Sequence, residues 1–229
     1  RKNYYMATQQ EISNPRNATT DRLLRHGTIV HNDFQEIANW CLSDLGDLGG
    51  SSINKAIYST IIELTSGIDK IEIEQEVRIP EFGVRGFYDI KVTMTTGEVY
   101  LYDVKTMNSW SWKYKFGQNI ISPQPPLHHQ LQLATYGYAV QKESDCLLDG
   151  MFLLYYNKDS SVMKEVEVPL SVMGDALEYW EQNYQITMNG SGFAKHPPPL
   201  LDNLSPQYDW ECKYCSFKDY CKNDDIFDD

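Results

Sequence analysis

The segment VRGFYDIKVTMTTGEVYLYDVK, which runs from Val84 to Lys105, decides how this chain folds. Apolar residues alternate with polar ones on both sides of residues 95–98, TTGE. Two alternating runs that flank a turn sequence are typical of a β-hairpin. We therefore predict one strand over 84–94 and a second over 99–105.

The patterns outside this hairpin predict helices and further strands. Apolar residues at helical spacing indicate helices, and a period of two indicates strands. Residues 106–126 are predicted as a long polar and aromatic loop that ends in several prolines. The other predicted elements are helices over 21–45, 53–66, 127–141 and 171–186 and strands over 71–79, 151–156 and 162–168. Their order predicts an α/β fold, with helices packed on the faces of a mixed sheet.

Length and charge limit the classes of protein that this chain can be. Its 229 residues suffice for one domain with a small addition. None of its apolar runs approaches the roughly 20 residues that span a bilayer. The net charge of −12 argues against a protein that coats nucleic acid through a broad basic surface, although a local cationic groove is compatible with it.

Two carboxylates and a lysine lie on the predicted hairpin. Asp89 and Asp103 belong to its two strands, so their carboxylates can converge on one divalent cation, and hard oxygen ligands suit Mg²⁺ or Mn²⁺. Lys105 follows Asp103 by two residues and therefore points to the same side of the strand. An ammonium group there can stabilise charge that develops on a phosphate. The alternative for such residues is a solvent-facing edge strand.

Polar residues on two predicted helices accompany this pattern. Gln132 and Tyr136 are four residues apart and share a helical face, where they can hydrogen-bond Lys105 or a substrate phosphate. The alternative is the polar outer face of an amphipathic helix. His31, in the first predicted helix, can act as a third ligand, and an imidazole beside two carboxylates favours Mn²⁺ over Mg²⁺.

Aromatic residues and lysines alternate in the predicted loop after residue 105. This segment suits a groove that stacks the bases and tracks the phosphates of single-stranded DNA. Packing of the same aromatic side chains against the sheet is the alternative. The predicted DNA-contacting residues are Trp110, Trp112, Lys113 and Lys115.

Three of the five cysteines lie close together near the C-terminus, as Cys212-x2-Cys215-x5-Cys221. Because the N-terminal residues are not a signal peptide, this spacing favours a metal or cluster site over a disulfide framework. Three thiolates suit Zn²⁺ or an iron–sulfur cluster, and either needs a fourth ligand. His196 can complete a zinc site, whereas Cys41 lies on an apolar helical stripe that is typical of a buried thiol.

These motifs together resemble those of the PD-(D/E)xK nuclease superfamily, in the RecB-like branch that includes Cas4 and many phage exonucleases. The motifs that carry the resemblance are His31, Gly86-x-x-Asp89, Asp103-x-Lys105 and Gln132-x-x-x-Tyr136. They cover roughly residues 1 to 140, and the cysteine segment adds to them. The resemblance implies a restriction-endonuclease-like fold and a metal-dependent nuclease that hydrolyses DNA, with exonuclease action on single-stranded ends.

The resemblance also implies roles for individual residues. The implied ligands of one or two Mg²⁺ or Mn²⁺ ions are His31, Asp89, Asp103 and the backbone carbonyl of Val104. Lys105 is implied as the catalytic lysine, with Gln132 and Tyr136 in support. Asp103 stands where Glu is commoner, which shortens the reach of the carboxylate but keeps its chemistry.

Relatives in this branch hold a [4Fe–4S] cluster on three C-terminal cysteines and one cysteine far upstream. By resemblance, Cys212, Cys215 and Cys221 are three of its ligands here. The fourth is expected immediately before Arg1, or else at Cys41, and Zn²⁺ is the alternative to the cluster.

The predicted organisation is a nuclease core with an N-terminal helical region over residues 1–195 and a cluster-binding tail over 196–229, packed on the same domain. Two alternatives stay open. One is a zinc-stabilised endonuclease of the same superfamily, and the other is a DNA-binding or docking module of a helicase, recombinase or integrase complex. The resemblance implies recombination, repair or CRISPR adaptation in the cytoplasm of a prokaryote or a phage-infected host.

Overall fold

The computed structural model describes residues 2–42, 67–117, 125–144, 146–189, 192–193, 212 and 215–224. Its elements, in chain order, are α1 (Lys2–Ala7), α2 (Ala18–Leu42), β1 (Ile68–Ile79), β2 (Val84–Met94), β3 (Val99–Met107), α3 (Ser109–Phe116), α4 (Leu127–Ser144), β4 (Gly150–Asn157), β5 (Met163–Val168), α5 (Val172–Thr187), β6 (Met188–Asn189), β7 (Gly192–Phe193) and α6 (Lys218–Asp224). The predicted helix over 53–66 lies outside the described residues. Among the helices that are described, none is both long enough and apolar enough to cross a membrane.

Strands β1 to β5 form one sheet in the order β1-β2-β3-β4-β5. Neighbours are antiparallel except β3 and β4, which run parallel, with Asp103 opposite Leu153 and Lys105 opposite Tyr155. Parallel neighbours need a crossover connection, and this one contains α3 and α4. Leu133 of α4 is fully buried in a core that also contains Leu153. The mixed sheet with its helices confirms the predicted α/β architecture.

The predicted hairpin is present, and its turn explains the glycine in TTGE. The backbone N–H of Met94 donates to the carbonyl of Glu98 at 2.8 Å, and that of Gly97 donates to the carbonyl of Met94 at 2.9 Å. Gly97 has φ 101°, a region that side chains disfavour and glycine occupies freely. The turn therefore requires glycine at this position.

The prediction of a loop over 106–126 is wrong for residues 106–117, which the structure describes as a strand end and a helix. Strand β3 continues to Met107, and α3 follows at once, capped by Asn108, whose side chain accepts from the backbone N–H of Ser111. Trp112 and Phe116, four residues apart, pack against the core from one face of this helix. The packing of these two rings and the Asn108 cap stabilise the helix. Its sequence of serine, aromatic and lysine residues did not indicate a helix.

The described residues divide into two compact units. Residues up to Arg25 together with those from Tyr179 onward form one unit, and His26–Glu178 form the other. In the first unit Tyr4, Tyr5 and Phe217 are buried together, so α1 packs on the cysteine-bearing segment near α6. Neither α1 nor α6 was predicted, because each is too short for a helical repeat to be recognised. The predicted division at residue 195 stays a prediction.

Candidate active site

Strands β2 and β3 separate at one point, and two carboxylates lie there. The ladder of paired residues ends at Ile90 and Tyr102. Next to it, Asp89 Oδ2 accepts a hydrogen bond from the backbone N–H of Val104 at 2.6 Å, so a side-chain carboxylate takes the place of a backbone acceptor. Asp89 and Asp103 are both buried. The hairpin thus opens around two carboxylates that are held away from bulk water.

His31 of α2 reaches the same opening. Its Nδ1 lies 3.4 Å from Asp89 Oδ1. The helix is held near the sheet by Phe34, whose ring meets that of Tyr156 edge-on at 6.0 Å. The hydrogen bond with Asp89 raises the pKa of His31 above its usual value, although burial of the imidazole opposes this.

Asp103 and Lys105 form a close pair on β3. Lys105 Nζ lies 2.5 Å from Asp103 Oδ2. That oxygen is fully buried and makes no well-oriented hydrogen bond among the described residues, although the Lys105 ammonium lies beside it. Burial raises the pKa of Asp103 and the nearby Asp89 adds to the rise, whereas the positive charges of Lys105 and His31 oppose it. A buried carboxylate oxygen without a well-oriented hydrogen bond is a position that a bound cation can satisfy.

A chain of hydrogen bonds leads from Lys105 along α4. Lys105 Nζ donates to Gln132 Oε1 at 2.9 Å, and Gln132 Nε2 donates to the Tyr136 hydroxyl at 2.9 Å. Because an ammonium group can only donate, the amide of Gln132 must turn its oxygen to the lysine and its nitrogen to the tyrosine. The structure therefore brings together the lysine, glutamine and tyrosine that the sequence singled out.

Gly86 belongs to this site for a reason that the sequence did not indicate. A Cβ atom at this position would lie 2.5 Å from Tyr136 Cε1. The absence of a side chain on β2 therefore lets the ring of Tyr136 lie against the strand. The spacing Gly86-x-x-Asp89 drew attention to the glycine, but its partner is a residue of α4, far away in sequence.

A second missed residue is His129, which lies beside the lysine. Its Nδ1 is 2.9 Å from the hydroxyl of Tyr155, the residue opposite Lys105 in the β3–β4 register. Burial, together with the positive charges of Lys105, His128 and Lys115, lowers the pKa of His129 to about 3. The imidazole is therefore neutral at physiological pH. A His128-His129 pair in a helix carries no sequence signal that separates this partly buried histidine from its exposed neighbour.

We expect His129 to make the fold less stable as the pH falls. Its pKa is about 3 in the folded protein and about 6.5 in the unfolded chain, so below pH 6.5 the unfolded chain binds a proton that the folded protein does not. The stability linked to His129 is fully present above about pH 6.5 and decreases toward pH 3, by about 2 kcal/mol at pH 5. Denaturant unfolding of the wild type and of His129→Gln between pH 7.5 and pH 5 measures this difference.

Glutamine can still hydrogen-bond Tyr155 but does not titrate, so the variant should lose less stability than the wild type over this range. His128→Gln, at the exposed neighbouring position, is the matched control and should follow the wild type. Equal pH slopes for the wild type and His129→Gln would contradict the prediction.

The predicted DNA-contacting residues lie on α3, and its two faces differ. Trp112 packs against the core, as the alternative interpretation of this segment proposed. Trp110 and Tyr114 instead stack on each other, with ring centroids 5.8 Å apart and planes 9° apart, and each is 76% exposed. Lys113 is exposed and Lys115 is partly buried.

The C-terminal cysteines form no disulfide among the described residues, and they lie in α6 or shortly before it. Cys212 is exposed, whereas Cys215 and Cys221 are partly buried. The backbone N–H of Phe217 donates to Cys215 Sγ at 3.5 Å. The side chain of Cys41, like His196, lies outside the described residues.

The residue types at the opening fit a divalent cation. One imidazole and two carboxylates are donors that Mg²⁺ and Mn²⁺ accept, and Asp103 Oδ2 makes no well-oriented hydrogen bond among the described residues. As the described side chains stand, no three His, Cys, Asp or Glu groups are close enough to hold one ion.

Comparison with known proteins identifies the family. Residues 51–222 match the family model of the PD-(D/E)XK nuclease superfamily. Among solved structures, the chain is similar to SSO0001, with 18% identity, a TM-score of 0.39 and coverage of 87% of this chain and 81% of that one. It is also similar to a "Putative exonuclease" from Eubacterium rectale, with 16% identity, a TM-score of 0.37 and coverage of 71% of this chain and 64% of that one. No curated protein matches. Since the family model covers most of the chain, this protein belongs to the PD-(D/E)XK nuclease superfamily.

Proposed function

We propose that the protein is a divalent-metal-dependent deoxyribonuclease that degrades single-stranded DNA from an end, as a Cas4-like member of the RecB-like branch. The observation that carries this proposal is the grouping of Asp89, Asp103 and Lys105 where β2 and β3 separate, with His31 in contact with Asp89. This grouping joins two carboxylates to an ammonium group. Such a set suits phosphodiester hydrolysis better than DNA binding alone.

In this proposal His31, Asp89 and Asp103 hold Mg²⁺ or Mn²⁺, and the backbone carbonyl of Val104 completes the ligand set. The Val104 N–H points to Asp89, and the N–H and C=O of one strand residue point to the same side, so this carbonyl faces the opening as well. When bound, the cation stabilises negative charge on the phosphate and lowers the pKa of water.

Lys105 is the proposed catalytic lysine. Its ammonium group has three N–H donors. One donates to Gln132, and a second points toward Asp103. The remaining donor is available to a phosphate oxygen, where it stabilises the charge that grows during attack. Gln132 and Tyr136 support the lysine, because Gln132 accepts its hydrogen bond and Tyr136 orients Gln132.

In this proposal Cys212, Cys215 and Cys221 hold a [4Fe–4S] cluster. The proposed fourth ligand is a cysteine upstream of Arg1, and the alternative fourth ligand is Cys41. Two observations support a ligand from the N-terminal side. The ring of Tyr5 lies 5.9 Å from that of Phe217, and Asn14 Nδ2 donates to the carbonyl of Cys215 at 2.9 Å. A backbone N–H that donates to Cys215 Sγ is also typical of thiolate ligands.

In the same proposal, residues 1–195 form the nuclease core and 196–229 form the cluster-binding tail. A cluster and Zn²⁺ differ in iron content and in colour. Metal analysis of the purified full-length protein therefore distinguishes the cluster from the zinc-stabilised alternative.

An assay with linear and circular DNA tests the proposed function. We expect Mn²⁺ or Mg²⁺ to support the breakdown of a linear end-labelled single strand, EDTA to stop it, and a circular single strand to resist it. Labels at the two ends give the direction of cleavage. Cleavage of the circle would support the endonuclease alternative. Binding without cleavage of any substrate would contradict the proposal and support a docking module for a helicase, recombinase or integrase.

A further inference from the structure

We propose that Trp110 and Tyr114 form a stacking platform for an unpaired base, and that this platform makes the enzyme prefer single strands over duplexes. The inference rests on the proposed nuclease function for its biological meaning. The binding event itself is independent of cleavage and is tested separately.

The first observation is the exposure of two stacked aromatic rings. Trp110 and Tyr114 are four residues apart on α3 and share one helical face. Their rings are nearly parallel, 5.8 Å apart between centroids, and each residue is 76% exposed. A soluble protein seldom leaves two large adjacent rings in water without a partner for them. A flat aromatic face is the surface on which a nucleobase stacks, whatever its identity.

The second observation is that this helix is fixed at both its start and its inner face. Asp159 Oδ2 accepts from the backbone N–H of Ser109 at 2.7 Å, and Ser109 Oγ lies within hydrogen-bond distance, 3.2 Å, of the buried Asn157 Oδ1. On the inner face, Trp112 and Phe116 pack against the core. The platform is therefore held in place before DNA binds, so little conformational entropy is lost on binding.

The third observation is the positive charge on α3 and beside its last turn. Lys113 and Lys115 lie on α3 on either side of Tyr114. Lys164 Nζ lies 4.8 Å from the ring centroid of Phe116, at the end of the same helix. In a chain with a net charge of −12, this local group of lysines suits the phosphates of a strand whose base lies on the platform.

The position of α3 connects these observations to the reaction. The helix begins two residues after β3 ends, and β3 carries Asp103 and Lys105. A DNA strand that stacks one base on Trp110 and Tyr114 can pass these lysines and reach the point where β2 and β3 separate. Inside a duplex the faces of the bases are covered by their stacked neighbours, so a base away from the duplex ends cannot use the platform without first being unpaired.

Fluorescence anisotropy in EDTA tests the platform without cleavage. The probes are labelled oligothymidylate and a labelled duplex of the same length. We expect Trp110→Ala/Tyr114→Ala to bind oligothymidylate about 10- to 100-fold more weakly than the wild type. Its affinity for the duplex should change much less. Trp110→Phe keeps an aromatic face and should bind oligothymidylate nearly as well as the wild type.

Tyr184→Ala removes an exposed aromatic residue of α5 and is the matched control, with no expected effect on binding. Unchanged binding of oligothymidylate by the folded double variant would overturn the platform, even if the wild type proves to be a nuclease. An equal loss of affinity for single strand and duplex would also overturn it. If the wild type cleaves no DNA but the double variant loses single-strand affinity selectively, the nuclease proposal fails and the platform stands.

Discussion

Asp103→Asn is expected to lower the rate of DNA cleavage by at least about 10³-fold and, in the absence of metal, to make the folded protein more stable. Asp103 is 2% exposed, and burial raises its pKa. Because the folded pKa lies above that of the unfolded chain, the stability linked to this carboxyl is present at low pH. It is lost as the pH rises through the folded pKa. At neutral pH the carboxylate therefore destabilises the fold, and the isosteric amide removes that cost.

Thermal melts in EDTA and in Mn²⁺, together with rates on a linear single strand, measure both effects. Mn²⁺ should raise the melting temperature of the wild type but not that of Asp103→Asn. Lys105→Met should lose cleavage to a similar extent. Asp69→Asn makes the same change at an exposed position of β1 and serves as the control for both readouts. Cleavage that survives both Asp103→Asn and Lys105→Met would mean that the chemistry occurs elsewhere.

Gly86→Ala is expected to reduce cleavage about 10- to 100-fold and to destabilise the fold by about 1–3 kcal/mol. The added methyl would lie 2.5 Å from Tyr136 Cε1, so the tyrosine ring or the strand must shift. Tyr136 accepts the hydrogen bond that orients Gln132, and Gln132 in turn holds Lys105. A collision at β2 is therefore transmitted through two hydrogen bonds to the proposed catalytic lysine.

Urea unfolding and cleavage rates check this prediction. Gly174→Ala on α5 is the matched control, because its Cβ would meet no heavy atom within 4 Å. A double-mutant cycle identifies the colliding group, since Gly86→Ala should cost less stability when Tyr136 is already alanine. The double variant should still cleave slowly, because the support of the lysine is gone. Wild-type cleavage by Gly86→Ala would show that Tyr136 is not needed to position Lys105.

Short-range relations in this chain could be predicted from the sequence. The hairpin over 84–105 forms as predicted, and the predicted helix from residue 127 is α4, which ends at Ser144. The shared side of Asp103 and Lys105 follows from the period of a strand, and the contact of Gln132 with Tyr136 follows from the period of a helix. Each of these two side-chain relations spans at most four residues within one element. Backbone geometry alone determines them.

The helix α3 could not be predicted in this way. It is only eight residues long, and isolated helices of this length are unstable in water. Its stability comes from Asp159, which bonds its first turn, and from the packing of Trp112 and Phe116. The residues that stabilise it therefore include one that is some 50 positions away in sequence. The same packing decides which aromatic residues remain exposed.

The remaining contacts of the site depend on how α2 and α4 lie against the sheet. The sequence alone indicated that His31, Asp89 and Lys105 have side chains suited to metal binding and phosphate chemistry. Their spacing within each element also indicated the direction of some neighbouring side chains. Only the tertiary structure shows that Gly86 makes room for Tyr136 and that His129 hydrogen-bonds the Tyr155 hydroxyl. Local sequence sets the direction of a side chain along its own element. The distance between two elements is set by the packing of the whole core, to which residues throughout the sheet and α4 contribute.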